Sequence, residues 1–255
     1  MATTAQTVDP LVEARAFYNR GDWARAVDAA APALQLPGRQ SEALLLVGRA
    51  TLERFRETAD PADLMRAREA LRAVDPEQLS SRHRAELIVG FAEALYLDAA
   101  YRPAAELFDA ALGEGADLAP ADRDRVLDWW ATAFDRFAQT RDADERSRIY
   151  AVIAERMTAE LRHSPGSATA AYWRAAAALA RSEVDLAWHL AIAGWVQGAL
   201  APANHAATLR SDLDRLVRQG IIPERLERLS NVSDVDEARD GMLAEWDLVK
   251  RKWTR

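Results

Sequence analysis

Few residues in this chain are of types that could carry chemistry. Its four histidines are His83, His163, His189 and His205. Asp185 and His189 stand four apart, which puts both on one helix face as possible metal ligands, but no third ligand is placed near them. The chain has no cysteine, so thiol catalysis, disulfides and Cys-ligated zinc are excluded. Ser164, Ser182 and Ser233 fall at turns or helix starts, where a hydroxyl satisfies backbone N–H groups rather than attacking a substrate. Carboxylates cluster at Asp142, Asp144 and Glu145 and again at Asp234, Asp236 and Glu237. Both clusters open a helix, where the macrodipole favours negative charge. No Gly-rich phosphate loop, nucleophile elbow or metalloprotease helix occurs. The expectation is a protein that is not an enzyme, with no metal, no cofactor and no catalytic residue.

Aromatic residues give the next candidate chemistry. Trp130, Phe134 and Phe137 recur at helical spacing, as do Trp188 and Trp195. Such stripes fill the space between helices more often than they build a ligand cage. Trp129 points away from Trp130 and needs a second packing surface or a partner. Trp23, Trp173, Trp246 and Trp253 complete the set of eight.

These residues must be positioned by helices. Alanine is the commonest residue, Gly and Pro total only 11 and 10, and 49% hydrophobic content suits a packed protein. The net charge of −7 argues against nucleic acid, which needs a basic footprint. Of the 33 basic residues only Lys250 and Lys252 are lysine, a bias that reads as compositional. The basic end, Lys250 to Arg255, suits a helix C-terminus or a contact with anionic lipid or an acidic partner. No apolar run is long enough for a membrane span. Residues 1–9 lack the basic start and apolar core of a signal peptide and read as a flexible N-terminus. A cytoplasmic location is the default expectation, and a periplasmic one if a leader has been removed. Asn231-Val232-Ser233 is a glycosylation-type triplet of a kind that arises often by chance.

The spacing predicts five helical hairpins. They pair residues 10–20 with 22–35, 41–55 with 61–74, 84–99 with 102–113, 123–140 with 143–162, and 167–181 with 183–200. Helices near 204–219, 223–229 and 234–253 follow, the last as a cap. Asp9-Pro10 and Asp60-Pro61 are cap-plus-proline starts. With no long or low-complexity connection, one domain over residues 10–255 is expected.

The residues then resemble the tetratricopeptide repeat family. Ala14 and Phe17, the turn at Gly21 and Trp23, and Ala26 and Ala33 follow its pattern, with Ala30 where the family prefers an aromatic. Ile88, Phe91, Ala92 and Leu95 followed by Tyr101, Ala104, Phe108 and Ala111 match best. Leu44, Val47 and Gly48 with Ala67 and Leu71 match across a longer loop. The interval from Ala14 to Gly48 equals the family period of about 34 residues, and later intervals are longer. The resemblance covers residues 10–113 well and 123–200 weakly. It implies a right-handed α-solenoid whose first helices line a concave groove for a peptide or helical segment of a protein partner. On that reading the groove shows Arg15, Tyr18 and Asn19, then Arg49, Leu52 and Glu53, then Glu93 and Tyr96, with Leu11, Leu45 and Val89 beside them. The basic-and-asparagine clamp of some members is not reproduced, because Glu93 stands at the third position. The same face could instead pack on the chain's own C-terminal helices. Two other readings stay open: an enclosed Trp-lined pocket for a small apolar ligand, holding at least two buried titratable groups, and self-assembly through exposed solenoid ends.

Overall fold

The computed structural model describes residues 9–113, 118–201, 203–229 and 234–254, and these are helical with no strand among them. The protein is all-α. Its helices are α1 (Pro10–Asn19), α2 (Trp23–Ala30), α3 (Gln40–Thr58), α4 (Pro61–Arg72), α5 (Ser81–Leu97), α6 (Tyr101–Ala111), α7 (Pro120–Ala138), α8 (Ala143–His163), α9 (Ala168–Ala180), α10 (Val184–Gln197), α11 (Ala203–Leu216), α12 (Ile222–Glu227) and α13 (Val235–Trp253). The chain divides into two compact units, Met1–Val126 and Leu127–Arg255. Among the described residues no helix is long and apolar enough to cross a membrane. Residues 1–8 and the Asn231-Val232-Ser233 triplet lie outside the described residues.

Local chemistry sets most helix starts. Asp9, Asp22, Asp60, Ser80, Asp142, Ser167 and Asp234 each accept a backbone N–H of the turn they open. Both carboxylate clusters therefore serve helix N-termini, as expected of negative charge at that end.

Three hairpins share one turn. At the ends of α1, α5 and α9 a residue in the left-handed region follows the C-cap: Gly21 (φ 77°), Ala99 (φ 58°) and Ser182 (φ 61°). The next N–H reaches back to the helix, from Asp22 to the Phe17 carbonyl, from Ala100 to Leu95 and from Glu183 to Ala178. This is a Schellman closure, and it satisfies helix-end carbonyls that would otherwise be orphaned. Ser182 is thus not the N-cap of α10 that its sequence position suggests. It is held in the turn, and Glu183 flanks α10 without a side-chain cap.

Two further differences from the sequence expectation have proline as their cause. After Ala30 the first hairpin continues as a 3-10 turn, Ala31–Gln35, because Pro32 has no N–H for an α-type bond. The helices expected near 204–219 and 223–229 are joined through a π-turn, Val217–Ile221. Pro223 cannot donate to residue 219 and would crowd that carbonyl, and the wider turn relieves both.

In the first unit each helix packs on the next, from α1 to α6, and α3 also packs on both α1 and α5. One core cluster joins Leu11, Ala14, Ala30, Ala33, Ala43 and Leu46, and a second joins Leu45, Leu52, Leu64, Leu71, Leu79 and Leu87. In the second unit α8, α9, α10 and α11 pack in succession and α13 lies on α10 and α12. Its core carries the buried Trp130, Trp173, Trp188, Trp195 and Trp246, as the space-filling reading of those rings expects.

A non-glycine residue in the left-handed region costs about 1–2 kcal/mol. Ala99→Gly is expected to raise unfolding stability by about 1 kcal/mol and Gly21→Ala to lower it by a similar amount. Urea denaturation should show the shift as a change of midpoint with an unchanged m-value.

Candidate partner-binding face

The first helices of three successive hairpins, α1, α3 and α5, lie side by side, and close packing beneath them sets their register. Leu71 of α4 is fully buried and seats against two glycines. A Cβ at Gly48 of α3 would stand 2.7 Å from Leu71 Cγ, and one at Gly90 of α5 would stand 3.0 Å from Leu71 Cδ2. The first distance is shorter than packed carbons tolerate and the second is tight, so the missing side chains give Leu71 its room. The Gly90 site also lies 3.7 Å from Arg49 Cγ, so the stem of Arg49 runs across the bare backbone of α5.

Two layers of polar side chains sit on this arrangement. In one, Arg15 of α1 approaches His83 of α5, with Nη2 2.7 Å from Nε2. A guanidinium can only donate, so His83 Nε2 accepts and the ring proton sits on Nδ1. Nδ1 stands 3.8 Å from Glu42 Oε1 of α3, and Arg15 Nη2 lies 3.7 Å from Glu42 Oε2. One residue from each helix therefore meets at this point.

The other layer is centred on Arg49, whose guanidinium carbon lies 5.5 Å from the centroid of the Tyr18 ring. Its Nη1 is 3.8 Å from Glu86 Oε2, and its buried Nε has no hydrogen-bond partner among the described residues. Arg49 is 8% exposed and Glu93 only 4%. Burial pushes the Tyr18 phenol up to about 12, with the charge of Arg49 working in the opposite direction. Burial likewise raises the Glu93 carboxyl above the ordinary range, and Arg49 offsets only part of that. For Arg49 burial acts downward, but Tyr18, Glu93, Glu86 and Glu53 more than reverse it and hold the guanidinium firmly charged. The result is a fixed cation under an aromatic ring, ringed by carboxylates.

The residues expected from sequence divide into three groups. Tyr18, Arg49, Glu53 and Glu93 share one electrostatic cluster, and Arg15 sits on the same face. Asn19 is exposed at the end of α1, and Tyr96 packs edge-on against Tyr101 of its own hairpin, ring centroids 5.4 Å apart. Leu52 is a correction. It is 0% exposed and belongs to the core with Leu45, Leu64 and Leu71, where no partner can touch it. Leu45 and Leu52 stand seven apart on the stripe of α3 that faces α4 and α5, and Leu11 and Val89 are buried as well. Arg49 and Glu93 are also too enclosed to be surface contacts, which makes them supports of the face.

His83, Glu86 and Glu42 are the residues sequence reasoning missed. His83, Glu86, Gly90 and Glu93 fall at three- and four-residue steps along α5, so the stripe that contains Glu93 contains them too. No protein-family model matches the chain, and no curated protein matches it in sequence.

The raised Glu93 carboxyl has a pH signature. Below its unfolded value near 4.5 the side chain is neutral in both states and costs nothing. As pH rises the unfolded chain ionises first, and stability falls until the folded carboxyl has ionised as well. Glu93→Gln cannot charge, so it is expected to match wild type near pH 4 and to exceed it in stability at pH 7. Denaturant melts at the two pH values check this.

Proposed function

We propose that the first unit is a tetratricopeptide-like array of hairpins, a right-handed α-solenoid segment. It acts as a non-enzymatic scaffold that binds a peptide or helical segment of a protein partner across α1, α3 and α5. The observation that carries this reading is the convergence of Tyr18, Arg49 and Glu93 from three successive first helices into one cluster. A solenoid that binds on its first helices needs a face with this origin.

The roles of the residues differ. Arg15, Tyr18, Asn19, Glu53 and Tyr96 keep part or all of their surface and would meet the partner. Arg49 and Glu93 would hold that surface rigid, since a fixed charge and a fixed ring cost less order on binding than mobile ones. Tyrosine beside arginine and glutamate suits a segment with both an apolar and a charged edge. The enclosed-pocket reading needs buried tryptophans and buried titratable groups in one place. Within the first unit the buried Arg49 and Glu93 have no buried tryptophan beside them among the described residues.

Site-specific photo-crosslinking tests the proposal. A benzophenone side chain at Asn19 is expected to give a discrete protein adduct, and the same group at the exposed Met65 of α4 is expected to give none. Arg15→Glu should reduce the Asn19 adduct at least about fivefold with helicity unchanged, as loss of one charged interface contact of ~1 kcal/mol would. Equal adducts from Asn19 and Met65, or indifference to Arg15→Glu, contradict the assigned face.

A further inference from the structure

The contact between Arg15 and His83 exists only while the imidazole is uncharged. Arg15 Nη2 donates to His83 Nε2 at 2.7 Å, and a doubly protonated ring has no acceptor left to offer a guanidinium. Two cations at that separation also repel. Imidazole is the side chain whose charge changes between about pH 5 and 8. Arg15 belongs to α1 and His83 to α5, so one proton decides whether a bond between these two helices forms.

The surroundings of the ring give the proton a second consequence. His83 is enclosed, with 12% of its side chain exposed, and its buried Nδ1 has no hydrogen-bond partner among the described residues. Nδ1 stands 3.8 Å from Glu42 Oε1 of α3, just beyond hydrogen-bond reach. The neighbouring charges are already engaged. Arg39, at the start of α3, donates to Glu42 at 3.3 Å and to Asp9 at 2.7 Å. On α5 itself Arg82 donates to Glu86 at 3.2 Å and lies 3.7 Å from Asp122 of α7. Glu86 in turn lies 3.8 Å from Arg49 of α3.

These positions set the order of events. A proton taken up at Nε2 turns that atom from acceptor into donor and charges the ring, which then closes the short gap to Glu42. The Glu42 carboxylate would now face three cations: the imidazolium, Arg39 and Arg15. Arg39 keeps Asp9 as a second anchor. Arg15 has only the 3.7 Å approach to Glu42 left among the described residues. Its side chain is already 40% exposed, so it is the group that swings away.

We propose that His83 is a pH-operated latch. Neutral, it holds Arg15 of α1 against α5. Protonated, it passes to Glu42 and frees Arg15 on the face built by α1, α3 and α5. The latch lies wholly within the chain and stands whatever that face binds. It sets whether the face displays a tethered guanidinium or a mobile one.

NMR of the full-length protein tests the latch. The His83 ring nitrogens and the Arg15 guanidinium are assigned by through-bond correlation to their own backbones. At pH 8 the His83 ring is expected to carry its single proton on Nδ1, and by pH 5.5 to be doubly protonated. Over the same titration the Arg15 side-chain order parameter should fall from about 0.85 to below about 0.6. The fall should follow the His83 titration curve, which decides the latch in the wild-type protein alone. His83→Gln, whose amide oxygen accepts from Arg15 at either pH, should keep Arg15 ordered throughout, and this separates the latch from a general loosening in acid. A proton on Nε2 at pH 8, or a ring still neutral at pH 5.5, overturns the proposal. Arg15 order that does not change as His83 protonates overturns it as well.

Discussion

The seating of Leu71 against Gly48 and Gly90 is the constraint on which the first unit's polar face depends. It lets one leucine of α4 reach the backbones of α3 and α5 together, which fixes the spacing and register of those two helices. Once they are set, Arg49 must lie across α5 at Gly90, and Glu86 and Glu93 flank it on the same stripe. Tyr18 of α1 then covers the guanidinium. A side chain at Gly48 would force Leu71 to shift, and one at Gly90 would press on the same leucine, so either would disturb the packing that sets the cluster.

That cluster is not uniformly stabilising. Burial acts against both charged groups: for Arg49 the surrounding carboxylates and Tyr18 more than offset it, whereas the Glu93 carboxyl stays raised, so ionising Glu93 works against folding. A purely structural seam between α1, α3 and α5 would be better served by leucine and alanine, which fill the neighbouring clusters. Fixed charge on the first-helix face is accounted for if that face recognises something. The second unit treats charge differently. There Asp214, Asp247, Arg218 and Lys250 are paired at hydrogen-bond distance around one indole, so each ion has a partner.

The sequence was most informative about helices and least about which side of a helix is outside. Cap-plus-proline pairs at Asp9-Pro10 and Asp60-Pro61, together with alanine-rich stripes, placed the hairpins to within a few residues. Ser182 misled because serine is a good N-cap in general, and only the backbone shows that it occupies the left-handed turn position instead. Leu52 misled for a related reason. Assigning the groove by position within a repeat put it on the displayed side of α3, whereas its stripe with Leu45 faces Leu64 and Leu71. His83 was visible in the sequence, but the histidines were considered only for a metal pattern, which rested on Asp185 and His189 and gave His83 no role. Its pairing with Arg15, 68 residues earlier, depends on α1 and α5 lying near one another, which no local pattern encodes.

A double-mutant cycle between Gly48 and Leu71 tests the central claim most directly. Gly48→Ala alone should destabilise by about 1–3 kcal/mol through overpacking, and Leu71→Ala alone by about 2–5 kcal/mol through the cavity it leaves. In the double variant the new methyl enters the space that Leu71 vacated. The account predicts a combined loss smaller than the sum by ~1 kcal/mol or more. Additive losses would show that Leu71 does not seat on Gly48 and would contradict the origin assigned to the face.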